Sequence, residues 1–475
     1  MDADTRILVV VLDGCRRDYL TTELMPRCYW EAQGGVIGTA HHAALPSVTR
    51  VNSATMATGG YPSRHGLMAN TIYIPEFNPS GGISTGSRKN LLDAAKAWGG
   101  RLLTATTLGE LLDQHGQKLL VCSSGSSGSA TLLNPTGVGA GILHPEFCVP
   151  ESGTARMYEI LGPKPPDTEP ARAKMTWMTD AYLKIGVPDH DPRVTFLWFT
   201  DPDHTAHEKG IGAPETKEGI RIADEQLGRV FDFHRARGMK VNIFIVADHG
   251  FATYGGKFEV AATLKAKGWM ERVKPVVIGG AIYVPKRLEE NVAAMVRDLQ
   301  GEPSVGPIFT AAKSKGSEKG KFPGTLSLDL IGGNHPRGAQ IVAYPKWTSE
   351  RNAAGYPGMV QAPGTAGHGA TSPWEINGVF AAFGPDIKTG VRSDIPTSNA
   401  DLAPTIAFLT DIPVPKEMDG RVLREILKQG PMPQRFNVRR KQWTAKSPDE
   451  RYSVTLKASV VEGHRYVDEA SAVHQ

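Results

Sequence analysis

The chain has 475 residues, 40% of them hydrophobic and 21% charged, which suits one large α/β catalytic domain carrying an inserted subdomain. Its 53 Lys and Arg stand against 49 Asp and Glu, for a net charge of +4. That balance gives no bulk case for binding a nucleic-acid polymer or a membrane surface, and no apolar run reaches the roughly 18 residues of a spanning helix.

The first six residues (MDADTR) are polar and run straight into a strand, unlike a secretory signal with its basic and apolar regions. The four cysteines, Cys15, Cys28, Cys122 and Cys148, form no C-x-x-C pair. Free thiols at strand ends fit a reducing compartment, so the expected location is cytoplasmic.

Residues 7–12 (ILVVVL) form a continuous apolar run, the pattern of a strand buried on both faces of a parallel sheet. Residues 107–115 read as a helix closed by Gly116, and residues 118–122 (KLLVC) as the next strand. The serine-rich stretch 123–129 (SSGSSGS) reads as a loop at the sheet edge. Residues 195–199 (TFLWF) give another buried strand, 217–237 a helix ended by Gly238, 241–247 (VNIFIVA) a strand and 379–383 (VFAAF) one more. This alternation predicts an α/β fold with a mostly parallel sheet. Residues 256–362 differ in composition, with a Lys/Gly-rich passage at 311–321 and a Pro/Gly-rich one near 344–363. They are read as an inserted cap on a core made of residues 1–255 and 363–430. Residues 431–475 form a C-terminal extension with a strand expected at 452–461. That extension is either a packing arm or a homo-oligomer contact.

Residue types that bind metal fall where a parallel-sheet enzyme places its site, at the C-terminal ends of strands. They are Asp13 after strand 7–12, Asp203 and His207 after strand 195–199, Asp248 and His249 after strand 241–247, and His368 in a Gly-rich loop. Each alone has a plainer reading. A strand-terminal Asp often caps or turns the chain. Asp203 and His207, four apart, read alone as a surface pair on a helix, and Thr49 alone reads as a helix cap. Together, three carboxylates and three imidazoles are the donor set for two Zn²⁺ ions, with other divalent transition metals also suited. Two such ions can clamp the attacking and leaving oxygens of a phosphoryl transfer.

Residues 45–70 (LPSVTRVNSATMATGGYPSRHGLMAN) resemble the nucleophile segment of the nucleotide pyrophosphatase/phosphodiesterase family, a branch of the alkaline phosphatase superfamily. Pro46, Ser47, Thr49, Asn52, Thr58, Gly59, Tyr61, Pro62, His65, Gly66 and Asn70 fall in register with that family's pattern. Pro202, Asp203 and His207 match its PD-x3-H segment, Asp248-His249-Gly250 its DHG segment, and Gly367-His368-Gly369 its HG loop. The resemblance implies a three-layer α/β/α fold of the alkaline phosphatase type with an inserted cap. It also implies hydrolysis of phosphate diesters or pyrophosphate bonds in a small-molecule substrate. Thr49 would be the metal-activated nucleophile and Asn70 a donor to a phosphoryl oxygen. One ion would belong to Asp13, Asp248 and His249 and contact Thr49, the other to Asp203, His207 and His368. His65 would support the loop.

The chain departs from the family in one place. Arg50 and Val51 stand where Phe-Pro is common, which opens room for a smaller or more anionic substrate. A phosphonoacetate hydrolase-like C–P hydrolase, a phosphomonoesterase and a non-catalytic binding protein on the same scaffold are the competing readings. No C/S-x-P-x-R motif of the sulfatases sits at the nucleophile segment.

Overall fold

The computed structural model describes residues 4–475; residues 1–3 lie outside the described residues. Ten strands form the central sheet. In chain order they are β1 (Arg6–Leu12), β2 (Val36–His42), β3 (Leu119–Ser123), β4 (Gly141–His144), β5 (Phe147–Val149), β6 (Val194–Phe199), β7 (Val241–Val246), β8 (Asn377–Phe383), β9 (Val391–Ser393) and β10 (Thr397–Ser398). The spatial order is β9-β2-β8-β7-β1-β6-β3-β4-β5, with β10 paired to β2. The inner strands β7, β1, β6, β3 and β4 are parallel. The strand expected at 379–383 is β8, which runs antiparallel to both β7 and β2. The sheet is therefore mostly parallel rather than uniformly so.

The apolar run of β1 is buried on both faces because alternate side chains enter different cores. Leu8, Val10 and Leu12 join a layer containing Cys28, Met175, Met178, Ile220 and Leu227. Ile7, Val9 and Val11 join the opposite layer with Met56, Leu112, Leu133 and Ile406. Helices Pro26–Gly34, Arg172–Ala181 and Pro214–Ala236 cover the first face. Helices Thr49–Thr58, Leu108–Gln114, Ser127–Leu133 and Leu402–Leu409 cover the second. The helix expected at 107–115 is confirmed with a capping box, in which Thr107 and Glu110 satisfy each other's backbone N–H. All four cysteines are buried free thiols.

The serine-rich stretch corrects its sequence reading. Ser123 ends β3, which lies inside the sheet and not at its edge, and Ser126 caps the helix Ser127–Leu133 by accepting the Ser129 N–H. Serine favours a helix cap as strongly as a loop, so composition alone gave the less regular answer.

A second core lies over the C-terminal ends of the strands. Strands Val276–Ile278, Ala281–Tyr283, Val305–Thr310, Leu326–Ser327 and Ile341–Pro345 form a five-stranded sheet. Strands Arg439–Lys446, Tyr452–Val461 and His464–His474 form an antiparallel sheet that shares its core; Tyr452, Leu456 and Ala470 pack with Val305, Ile308 and Leu326. The strand expected at 452–461 is present with those bounds. Short strands Trp347–Arg351 and Pro357–Val360 join Ala252–Tyr254 and Ala366–Gly367 in a four-stranded sheet beside the loop that carries His368. No helix among the described residues is long and apolar enough to cross a membrane.

Candidate metal centre and nucleophile

Three adjacent parallel strands, β7, β1 and β6, end at one rim and deliver the carboxylates of Asp248, Asp13 and Asp203. Immediately after Asp13 the chain must turn sharply. Gly14 does so at φ +64, where a Cβ would stand 2.9 Å from the Phe251 ring and 3.0 Å from the Asp203 Cβ. Its N–H then donates to Asp248 Oδ1 at 3.0 Å.

The sequence-predicted ligands gather in two triads. Asp13, Asp248 and His249 place ligand atoms within 4.8 Å of one another, and so do Asp203, His207 and His368. Asp203 and His207 share a face of the helix Asp203–Lys209, with His207 Nε2 3.3 Å from Asp203 Oδ2. His368 Nε2 reaches the same oxygen at 3.3 Å, so the pair is more than the surface contact that its spacing alone suggests. His249 Nε2 lies 3.2 Å from Asp248 Oδ2 and 3.6 Å from Asp13 Oδ1. The rings of His249 and His368 stack at 3.6 Å and join the triads.

Each imidazole is oriented by its other nitrogen. Nδ1 of His249 donates to Gly250 O at 2.9 Å, that of His368 to Ser47 O at 2.9 Å, and that of His207 to Ala366 O at 3.1 Å. A ring held this way turns Nε2 inward, as an orienting partner does in metal sites. The carboxylates are similarly half-committed. Asp13 Oδ2 accepts the Trp198 indole N–H at 3.1 Å, and Asp248 Oδ1 accepts two backbone N–H groups. The other oxygens of Asp13 and Asp248, Oδ1 and Oδ2 respectively, are buried without a hydrogen-bond partner, and the buried Asp203 Oδ2 faces the His207 and His368 Nε2 atoms. Three inward carboxylate oxygens beside three inward imidazole nitrogens fit divalent cations of the zinc type.

Electrostatics point the same way. Burial, then the charges of Asp248 and Asp203, raise the Asp13 carboxyl well above its ordinary value. Burial, with Asp203 adding to it, pushes Asp248 up to about 7. Burial holds His249 well below its usual range. For Asp203 burial acts upward, but hydrogen bonds with His207 and His368 outweigh it and hold the carboxyl well below its usual value. A cation is the partner that stabilises such a group of buried anions.

Thr49 opens the helix Thr49–Thr58. It is not the cap: Val48 occupies that position without a capping side chain. Being the first helical residue, Thr49 directs its hydroxyl at the ligands, with Oγ1 3.2 Å from His249 Nε2. Asn70 approaches from the other end of the segment, and its Oδ1 accepts the Arg50 N–H at 3.0 Å, so Nδ2 is left to donate. His65 lies behind this layer. It bonds the Thr55 hydroxyl through Nε2 and the Leu67 N–H through Nδ1, a loop-bracing position.

Several contributors carried no sequence signal. Trp198 was legible only as a core strand residue. The Tyr254 hydroxyl donates to His368 O at 2.8 Å, and the Phe251 ring packs against His207 and His368. Asn399 Nδ2 reaches both Asn52 Oδ1 and Asp248 O, linking the nucleophile helix to the β7 end. A cavity of about 280 Å³ lies between this layer and the five-stranded sheet. Leu45, Val48, Asn70, Phe258, Tyr283 and Tyr344 contribute to a mainly apolar wall.

Comparisons with known proteins agree with this geometry. The family model for type I phosphodiesterase/nucleotide pyrophosphatase matches residues 7–362. The venom phosphodiesterase of Naja atra is 24% identical over 248 residues, covering 51% of this chain and 26% of that protein. Ectonucleotide pyrophosphatase/phosphodiesterase family member 1 of Mus musculus is 21% identical over 405 residues, covering 82% of this chain and 39% of that protein. The chain thus spans about a quarter of the length of the venom enzyme. The solved structure of murine ectonucleotide pyrophosphatase/phosphodiesterase 5 superposes with a TM-score of 0.63 at 17% identity, over 89% of this chain and 100% of that one. A second structure of that protein, an inactive variant in complex with AMP, gives a TM-score of 0.62 at 18% identity, over 89% of this chain and 100% of that one. These overlaps identify the α/β architecture as alkaline phosphatase-like. With a family model covering most of the molecule, from β1 through the Thr49–Asn70 segment and all three Asp-bearing strand ends, the chain belongs to the type I phosphodiesterase/nucleotide pyrophosphatase family.

Proposed function

We propose that the protein is a zinc-dependent hydrolase of phosphate diesters or pyrophosphate bonds that works through a phosphothreonine on Thr49. The observation that carries this reading is the Thr49 hydroxyl, buried 3.2 Å from Nε2 of His249, the imidazole of the first triad that stacks on His368 of the second. Asp13, Asp248 and His249 would hold one ion, and Asp203, His207 and His368 the other. Zinc bound there supplies a lowered hydroxyl pKa and positive charge at the reacting phosphorus.

The chain's own residues do the rest. Thr49 Oγ attacks phosphorus, the ester bond opposite it breaks, and the alcohol or phosphate leaves. Water then attacks the phosphothreonine from the vacated side and restores the hydroxyl. Asn70 Nδ2 donates to a phosphoryl oxygen, a role its bond to Arg50 N–H orients. The apolar cavity beside Asn70 receives an apolar or aromatic substituent of a small-molecule ester.

Turnover of bis(4-nitrophenyl) phosphate by zinc-loaded protein tests the proposal. Thr49→Ala is expected to lose activity by a factor on the order of 10³ or more while keeping two metal ions per chain. Full turnover by a metal-loaded Thr49→Ala protein would refute it.

A further inference from the structure

Arg50 directly follows Thr49, yet the reaction described above uses only its backbone N–H. Its side chain is half-buried and runs past Gly86, with Nη2 3.8 Å from where a Cβ on that glycine would stand. Nε is buried without a hydrogen-bond partner. The carboxylates that act on its charge are Asp13, Asp203 and Asp248, the three that belong to the metal triads. A buried guanidinium N–H without a partner is costly unless an anion completes it. Those carboxylates are engaged elsewhere once cations occupy the triads, so the anion must come from the substrate.

The chemistry narrows which anion. Arg50 adds one positive charge to whatever the triads and their cations supply. A phosphate monoester brings one more negative oxygen than a diester does. A planar guanidinium can meet two phosphoryl oxygens at once, which a lysine cannot. We propose that Arg50 is a specificity-determining residue whose guanidinium pairs with the additional anionic oxygen of a phosphate monoester, so that the site turns over monoester dianions as well as diesters. In the monoester reaction Thr49 Oγ forms the new bond to phosphorus and the P–O bond to the alcohol breaks. The alcohol departs with a proton, and water releases inorganic phosphate. The inference rests on the phosphoesterase reading of the site.

The test compares kcat/KM for 4-nitrophenyl phosphate and bis(4-nitrophenyl) phosphate in zinc-loaded wild type, Arg50→Met and Arg50→Lys. The monoester-to-diester ratio is expected to fall about 10- to 100-fold in Arg50→Met, the range for losing a charge-assisted hydrogen bond, and to recover partly in Arg50→Lys. Calorimetric binding of inorganic phosphate is expected to weaken in Arg50→Met by more than that of dimethyl phosphate. A ratio unchanged within about twofold overturns the proposal, including the case where both rates fall together because Arg50 only supports the fold. If wild type hydrolyses neither ester, the phosphoesterase reading fails on its own. Phosphate binding then decides the role of Arg50, and equal phosphate affinity in wild type and Arg50→Met overturns it.

Discussion

Asn70 has one amide end fixed and the other free to act. Its Oδ1 holds the Arg50 N–H, which sets the direction in which Nδ2 points. Asn70→Ala is therefore expected to lower kcat on bis(4-nitrophenyl) phosphate about 10²- to 10³-fold, the cost of one oxyanion donor, with metal content by elemental analysis unchanged. Trp198 acts one layer further out. Its indole N–H is the partner of Asp13 Oδ2, and Trp198→Phe is expected to weaken metal binding about 10- to 100-fold in a competitive chelator titration. The two residues differ in how they could be read from sequence. Asn70 stands in a segment whose spacing to Thr49 is diagnostic. Trp198 sits inside TFLWF, where an aromatic residue needs no explanation beyond packing. Its hydrogen bond exists only because β6 lies beside β1, a tertiary fact that local sequence does not contain. Arg50 was visible as a departure from the pattern, but its direction, inward past Gly86, was not.

At the level of elements, the strands that carry ligands were legible because a doubly buried parallel strand writes itself as an unbroken apolar run. The antiparallel direction of β8 was not, since VFAAF reads the same either way. The packing of the C-terminal segment against the rest was equally hidden. One junction shows how firmly it is held. Arg421 bonds the Glu425 carboxylate with two nitrogens, the Pro396 carbonyl with another bond, and the Tyr466 hydroxyl on the last strand. Arg421 and Glu425 side chains are 3% and 0% exposed. Arg421→Met strands a buried carboxylate and is expected to cost about 3–5 kcal/mol in denaturant unfolding, since removing one partner of a buried pair leaves the other uncompensated.

For the molecule as a whole, buried histidines set the acid limit of stability. Burial depresses His41 and His65 from 6.5 to about 3, and His144 and His234 to about 4. In each case the unfolded chain binds the proton more readily, so stability is complete above 6.5 and falls as pH drops below it. Glu375 opposes them. Burial lifts it from 4.5 to about 7, so its contribution is complete below 4.5 and is lost as pH rises toward 7. Asp13 and Asp248, raised by burial in the same way, act with Glu375 in metal-free protein. Measured against unsubstituted protein, the Tm of His41→Gln is expected to gain on going from pH 7 to pH 4.5, and a difference that stays constant over that window would contradict the assignment. None of these environments could be read from sequence, where a histidine beside Thr397 and Asn399 in space looks no different from one on the surface.

The last strand also reaches the ligand loop. The Ala470 N–H donates to Thr371 O, and its carbonyl accepts from the Thr371 hydroxyl and the Trp347 indole. Thr371 stands three residues beyond His368, so the second triad is braced by backbone that lies about a hundred residues downstream of it. In the order of synthesis, Asp203, His207 and His368 all leave the ribosome before Ala470 does. The Thr371 brace forms only once residues 464–474 have been made, whereas β1 and β7 are complete long before them.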